Sequence, residues 1–274
     1  MKKAEKATPT FITQKFLYSD SISLLPPLEK RKIAEILGTM DDVFGKLERA
    51  IEATDRLKQG LLQELFTKGI GRRTARELPE GWKNVTLGEI VKFQYGITVS
   101  VPKATGTELL READIEDDGS IDWAGLQHYP ITANDYKDNG LKEGDVLIAR
   151  FGSKAGRSCY LDRPIKAAFT SSLIRLQPTA PLCQKFIYFF TQSPMYWDQI
   201  ERKIKNQLNK VLYARPLAEL TMPKPSLKEQ ERIVDILNSI DKKKALLKIK
   251  KTHYEAIKTR MMNDLPTGQV KVKT

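Results

Sequence analysis

Two stretches of this chain combine charged, amide and small side chains at spacings that could do chemistry. The first is Arg150-Phe151-Gly152-Ser153-Lys154-Ala155-Gly156-Arg157-Ser158, in which small residues between three cations permit close backbone approach to a ligand. A phosphate-binding P-loop would need Gly-x-x-x-x-Gly-Lys-Ser/Thr, and that spacing is absent. A β-turn carrying solvated cations would give the same residues. The second stretch is Lys203-Ile204-Lys205-Asn206-Gln207-Leu208-Asn209-Lys210, which packs amides between lysines. Amides suit pairing with an adenine edge and lysines suit phosphate contact, although a polar loop after a helix would look alike. Tyr95-Gly96-Ile97-Thr98 is a third and weaker candidate, against which stands a buried hairpin turn.

Other chemistry finds little support. His128 and His253 are the only histidines and lie far apart in the chain, which argues against a His-based metal site or a Ser-His-Asp triad. Cys159 and Cys183 form no Cys-x-x-Cys pattern and read as small apolar residues. Adenine-N6 methyltransferases use Asn/Asp-Pro-Pro-Tyr/Phe, and the nearest string, Ser193-Pro194-Met195-Tyr196, lacks the first polar residue and the second proline. No glycine-rich loop opens a βαβ unit, and Asp117-Asp118 sits in a turn sequence. The chain therefore reads as non-catalytic, with no cofactor or metal of its own. A net charge of +12 and a pI of about 9.5 favour polyanionic partners. Hydrophobic content of 41% is enough for a core in 274 residues. No run is long enough to cross a bilayer, the basic N-terminus has no apolar signal region, and the expected location is the cytoplasm.

The elements that must position these stretches follow from a repeat. Ile33, Ile36, Leu37, Met40, Asp41, Leu47, Leu57, Lys58, Leu61, Leu62, Leu65 and Thr67 recur 200 positions later as Ile233, Ile236, Leu237, Ile240, Asp241, Leu247, Ile257, Lys258, Met261, Met262, Leu265 and Thr267. A proline-containing lead-in precedes each copy. From Leu28 to about Lys68, apolar residues recur at alternating spacings of three and four, the seam of a coiled coil. Pro27 suits the helix start and Gly69 and Gly71 its end. Forty helical residues would span roughly 60 Å. A second helix runs from about Leu227 to Asn263, its seam interrupted by Lys244 and Lys251. Between the helices, residues 78–222 carry turn signals at Asp117–Ser120 and Lys142–Asp145. Strand-like runs appear at 89–93, 146–150 and 172–176, followed by helix-like stretches at Cys183–Gln192 and after Pro194.

The fold expected is mixed α+β: one α/β globular domain, with two long helices packed as an antiparallel coiled-coil stalk. Its parts are an N-terminal lead (1–24), a first helix (25–70), the globular domain (71–222), a second helix (223–268) and a short tail (269–274). The basic connector Gly71-Arg72-Arg73-Thr74-Ala75-Arg76 reads as a solvated linker or a phosphate contact, and the lysine run 242–251 as a solvated face or a phosphate-facing or partner-facing stripe.

Three motifs carry a resemblance to a known family. Leu78-Pro79-Glu80-Gly81-Trp82-Lys83-Asn84-Val85-Thr86-Leu87-Gly88-Glu89-Ile90 resembles the opening of a target-recognition domain in the specificity subunits of type I restriction–modification systems. Gly144-Asp145-Val146-Leu147-Ile148-Ala149-Arg150, followed by Gly152-Ser153 and Gly156, resembles its middle. Pro225-Ser226-Leu227-Lys228-Glu229-Gln230-Glu231-Arg232-Ile233 resembles the entry into that family's conserved helix. The first helix copy lacks the Glu-Gln pair, and full-length members hold two recognition domains where this chain has one. That implies a half-length or truncated subunit.

The resemblance implies that the globular domain binds double-stranded DNA and reads one half of a split target. The residues it points to are Tyr95, Thr98, Arg150, Ser153, Lys154, Arg157, Lys205, Asn206, Gln207 and Lys210. It also implies docking to methyltransferase subunits that hold S-adenosylmethionine, and to a restriction subunit that uses ATP. Pairing with a second copy or with another half-subunit would supply the missing reader. A coiled-coil scaffold whose globule binds protein is the competing reading.

Overall fold

The computed structural model describes residues 26–71, 79–99, 101–205 and 210–264. The lead, most of the basic connector, the end of the repeat and residues Asn206 to Asn209 lie outside them. The chain divides into two compact units. One comprises residues up to Asp55 and from Asp241 onward, and the other runs from Arg56 to Ile240. Both divisions fall inside a long helix: α1 spans Pro27–Thr67 and α7 spans Leu227–Asp264.

The reason is burial. Leu62, Leu65 and Phe66 of α1 and Ile233, Val234 and Leu237 of α7 belong to the main hydrophobic core of the globular unit. The Phe66 ring lies 4.9 Å from that of Phe186 and 5.8 Å from that of Phe190. Each such side chain contributes roughly 1.5–3 kcal/mol by leaving water. The repeated helical segments are therefore partly core of the globule, not helices appended to it. Gly69 and Gly71, each with φ of 74°, follow the last turn of α1.

Between the helices, the globular unit runs β1 (Lys83–Thr86), α2 (Leu87–Ile90), β2 (Val91–Tyr95), β3 (Thr107–Leu110), β4 (Gln127–Tyr129) and α3 (Ala133–Asn139). It continues through β5 (Val146–Ala149), β6 (Ser158–Tyr160), β7 (Ala167–Phe169), β8 (Leu173–Pro178), α4 (Gln184–Thr191), α5 (Pro194–Ile204), α6 (Ala214–Ala218) and β9 (Thr221–Lys224). Among the described residues the strands form three sheets, ordered β2-β8-β5-β6, β4-β3-β7 and β1-β9. All pairings are antiparallel except β3 with β7. The unit is a mixed fold of helix and strand. β5 is buried on both faces, as its unbroken Val-Leu-Ile-Ala run requires.

The turn signals fold as their chemistry directs. At 116–120 the Asp118 carboxylate accepts from the Ser120 amide at 3.1 Å, and at 142–145 the Asp145 carboxylate accepts from the Lys142 amide at 2.8 Å. Ser193 caps α5 by accepting from the Tyr196 amide at 3.3 Å, with Pro194 in the first turn. Cys159 is fully buried, and burial pushes its thiol pKa up to about 12, so it behaves as an apolar residue; Cys183 is only half-buried.

The motifs that open and close the globular segment meet one another. β1 pairs with β9 from Lys83–Lys224 to Thr86–Thr221. The Trp82 indole N–H donates to the Glu229 carboxylate at 2.9 Å. Gln230 is buried; its oxygen accepts from the Cys183 amide at 3.0 Å and its nitrogen donates to the Pro225 carbonyl at 3.0 Å. The Glu-Gln pair thus ties α7 to the domain that precedes it.

In the other unit, Met40, Leu47 and Thr54 of α1 are buried at seven-residue spacing. Thr54, a weak position in an apolar seam, is accommodated because its hydroxyl donates to the Ala50 carbonyl at 2.7 Å. Lys244 and Lys251 of α7, which interrupt the other seam, form ion pairs with Asp55 at 2.7 Å and Glu48 at 2.8 Å, and Lys258 pairs with Asp41. Leu246 and Ile249 of α7 are exposed.

Candidate nucleic-acid interface

Parts of the three candidate stretches, far apart in sequence, meet around Arg150. β5 delivers Arg150 to a turn, Gly152–Lys154, that abuts the chain returning from the second stretch. The Gly152 amide donates to the Lys210 carbonyl at 3.0 Å, and the Leu212 amide donates to the Arg150 carbonyl at 2.9 Å. Phe151 and Val211 form an antiparallel bridge between these contacts. Tyr95, at the end of β2, joins them: its hydroxyl oxygen accepts from the Ala214 amide at 2.8 Å.

Arg150 itself is a scaffold. Its Nε donates to the Leu212 carbonyl at 3.1 Å and its Nη1 to the Ser171 carbonyl at 2.5 Å. Its guanidinium lies 4.5 Å from the Tyr95 ring, 4.7 Å from Phe151 and 5.4 Å from Tyr213. Lys154 is likewise turned inward, donating to the carbonyls of Ala113 and Ile115, each at 2.7 Å. These two cations are thus tied to backbone carbonyls of the same domain.

Arg157 pairs with Asp117, whose carboxylate is largely in water; such surface pairs contribute only about 0–1 kcal/mol, so Arg157 is able to exchange partners. Ser153, Lys205 and Lys210 are exposed. Asn206 and Gln207 lie outside the described residues, on the chain joining Lys205 to Lys210.

Thr98 is set apart from this group. The Tyr95–Thr98 stretch is not a hairpin turn: Ile97 bridges Thr170 in parallel sense, and the Ile97 amide donates to the Phe169 carbonyl at 2.9 Å. A Cβ on Gly96 would lie 2.4 Å from that carbonyl oxygen, so the close approach requires glycine. Thr98 faces a shallow cleft lined by Ile97, Val99, Val101, Tyr129 and Ile131.

Phe151 and Tyr213 escape a reading of the sequence as site residues, because nothing in their spacing distinguishes an exposed aromatic from a core one. Their exposures are 38% and 53%, and that of Tyr95 is 40%. Among the described residues no helix is long and apolar enough to cross a membrane.

The domain is a mixed fold of helix and strand that carries a cluster of exposed aromatics around Arg150. Comparison with known proteins is more specific. Residues 79–257 match the family model described as the type I restriction modification DNA specificity domain. The chain belongs to that family.

It is 26% identical to the MjaVIII type I restriction enzyme specificity subunit of Methanocaldococcus jannaschii, over 100% of this chain and 68% of the relative. It is also 26% identical to the EcoBI type I restriction enzyme specificity subunit of Escherichia coli, over 84% of this chain and 54% of the relative. Its fold is similar to that of the type I restriction–modification S subunit from M. genitalium, with a TM-score of 0.60 and 18% identity over 90% of this chain and 62% of the other. The HsdS subunit from Thermoanaerobacter tengcongensis gives 0.56 and 20%, over 89% and 60%. The chain therefore spans between about half and two thirds of the length of these proteins.

Proposed function

We propose that this chain is the sequence-reading component of a type I restriction–modification complex, binding double-stranded DNA through its globular unit and recognising one half of a split target. The observation that carries this reading is that Tyr95, the 150–157 turn and the chain from Lys210 to Ala214 meet around one guanidinium. Lys205, Lys210 and Arg157 would contact phosphates and set register, while Asn206, Gln207 and Ser153 would approach base edges. The chain would act without catalysis of its own. S-adenosylmethionine would be held by methyltransferase subunits, and ATP-driven cleavage would belong to a restriction subunit.

The unit built from residues 27–55 and 241–264 is, in this reading, an antiparallel coiled coil that acts as a spacer between two readers. Three ion pairs support it: Asp41, Glu48 and Asp55 advance by seven residues while Lys258, Lys251 and Lys244 retreat by seven. Exposed Leu246 and Ile249 offer apolar surface for a partner subunit. The second reader would come from another copy of this chain or from a different half-subunit. Leu47→Asp or Leu247→Asp is expected to lower the thermal midpoint of this helical unit and to abolish assembly with methyltransferase subunits, followed by circular dichroism and co-purification. Unchanged melting and assembly in both variants would count against the seam.

Salt-dependent duplex binding tests the DNA reading against that of a protein-binding scaffold. A chain neutralising about six phosphates loses roughly 1,000-fold in affinity between 50 and 200 mM salt. Lys205→Ala and Lys210→Ala should weaken all duplexes alike and reduce the salt slope by about one each. Asn206→Ala and Gln207→Ala should relax sequence preference instead. Affinity insensitive to salt would favour the scaffold.

A further inference from the structure

We infer that Phe151 and Tyr213, with Tyr95 beside them, form a preorganised apolar surface that contacts the 5-methyl group of a thymine in the recognised half-site. The inference rests on the DNA-reading role proposed above.

Among the described residues four large aromatic side chains are exposed, namely Tyr95, Tyr136, Phe151 and Tyr213, and three of them surround Arg150. A domain with an ample core leaves aromatics in water at cost, so their clustering needs a cause. Holding Arg150 in place accounts for one face of each ring. It does not account for the outward surfaces; the exposed Lys210 is close by along the chain, its carbonyl accepting from the Gly152 amide at 3.0 Å.

The cluster is rigid. Arg150 is fastened to two carbonyls, Phe151 is bridged to Val211, and Tyr95 is bonded to the Ala214 amide. Aromatic anchors held this way lose little entropy on binding.

The chemistry of the ligand follows from what the rings offer. The guanidinium occupies one face of each ring, so no base can be sandwiched among them. What remains is apolar edge and outer surface amid positive charge. In the major groove the thymine 5-methyl is the apolar group that base pairs present, and aromatic or methyl-bearing side chains recognise it by contact. Arg150, with Nε and Nη1 fastened to carbonyls, sets the platform.

The test uses the full chain with its methyltransferase partner and two randomised duplex libraries, one containing thymine and the other deoxyuridine. The wild-type chain should enrich a motif with a thymine at one position, and removing one methyl should weaken preference there by about four-fold. Phe151→Ala and Tyr213→Ala should lose that preference while keeping the rest of the motif, and Tyr213→Phe should retain it.

A motif without thymine, or equal preference in both libraries, overturns the inference without any variant having to fold. Variants that weaken every duplex equally while keeping the thymine preference assign the rings a supporting or protein-facing role and overturn it too. A wild-type chain that enriches no motif removes the DNA-reading role itself and the thymine contact with it.

Discussion

Trp82→Ala is expected to destabilise the globular unit by about 3–5 kcal/mol, the usual cost of deleting a large buried aromatic. For a unit of this size that corresponds to a fall in thermal midpoint of roughly 6–20 °C. Trp82 is buried in the main core, and its indole N–H donates to Glu229 at the start of α7. The substitution removes the packing and the tie between the two ends of the globular segment together. Trp82→Phe keeps most of the ring and loses only the donor, so its cost should fall well below that of alanine. If the hydrogen bond matters beyond packing, Glu229→Gln and Trp82→Phe should be less than additive in a double-mutant cycle followed by urea unfolding. A Trp82→Ala protein with an unchanged midpoint would show that the β1–β9 closure holds without it.

Arg175→Ala is expected to cost about 3–5 kcal/mol for a different reason. Arg175 lies on β8 and is 3% exposed. Its Nη1 donates to the Asp145 carboxylate at 3.0 Å and the Gly140 carbonyl at 2.8 Å. Its Nε and Nη2 donate to the Gln94 side-chain oxygen at 3.1 and 2.7 Å, and Nη2 also reaches the Asp138 carbonyl at 2.9 Å. Alanine would leave a buried carboxylate and several acceptors without donors.

Lysine should not rescue, because a point ammonium cannot reproduce the planar fork. Replacing both partners, as in Arg175→Met with Asp145→Leu, should recover the part of the loss that comes from the stranded charge, while the Lys142 amide and the carbonyls of Gly140 and Asp138 lose their partners. Gln94 adjoins Tyr95, so Arg175→Ala should also loosen the aromatic cluster. Equal stability of the single and double variants would contradict this account.

How much of this was legible in the sequence varies by kind of interaction. The two helices were read to within a residue or so at both ends, because a 41-residue and a 38-residue helix repeat their apolar pattern many times over. The strand-like runs at 146–150 and 172–176 also formed strands, since bulky β-branched and aliphatic residues bounded by Gly and Asp turns leave little else. The run at 89–93 was read only in part: Leu87–Ile90 is a helical turn capped by Glu89, and the strand begins at Val91. A turn of that length has no periodicity to detect. The hairpin reading at Tyr95–Thr98 failed because its partner, Thr170, lies far along the chain.

The candidate interface divides in the same way. Residue types marked two stretches rich in cations and amides, and could not say which of those cations face outward. Arg150 and Lys154 donate to the carbonyls of Ser171, Leu212, Ala113 and Ile115, and those carbonyls are set by distant segments. Arg175 looked like one more residue of a strand, and became the centre of a buried network only when β2, β8 and the 138–145 segment came together. By itself, the sequence determined the helices, the repeat, the family and the positive charge, all of which are local or additive properties of the chain. Only the tertiary structure decided that the helix ends belong to the globular core, that parts of three separate stretches meet at Arg150, and that Phe151 and Tyr213 stay in water. Those are consequences of contacts between residues tens to hundreds of positions apart, and burial and hydrogen-bond satisfaction are defined only once such contacts exist.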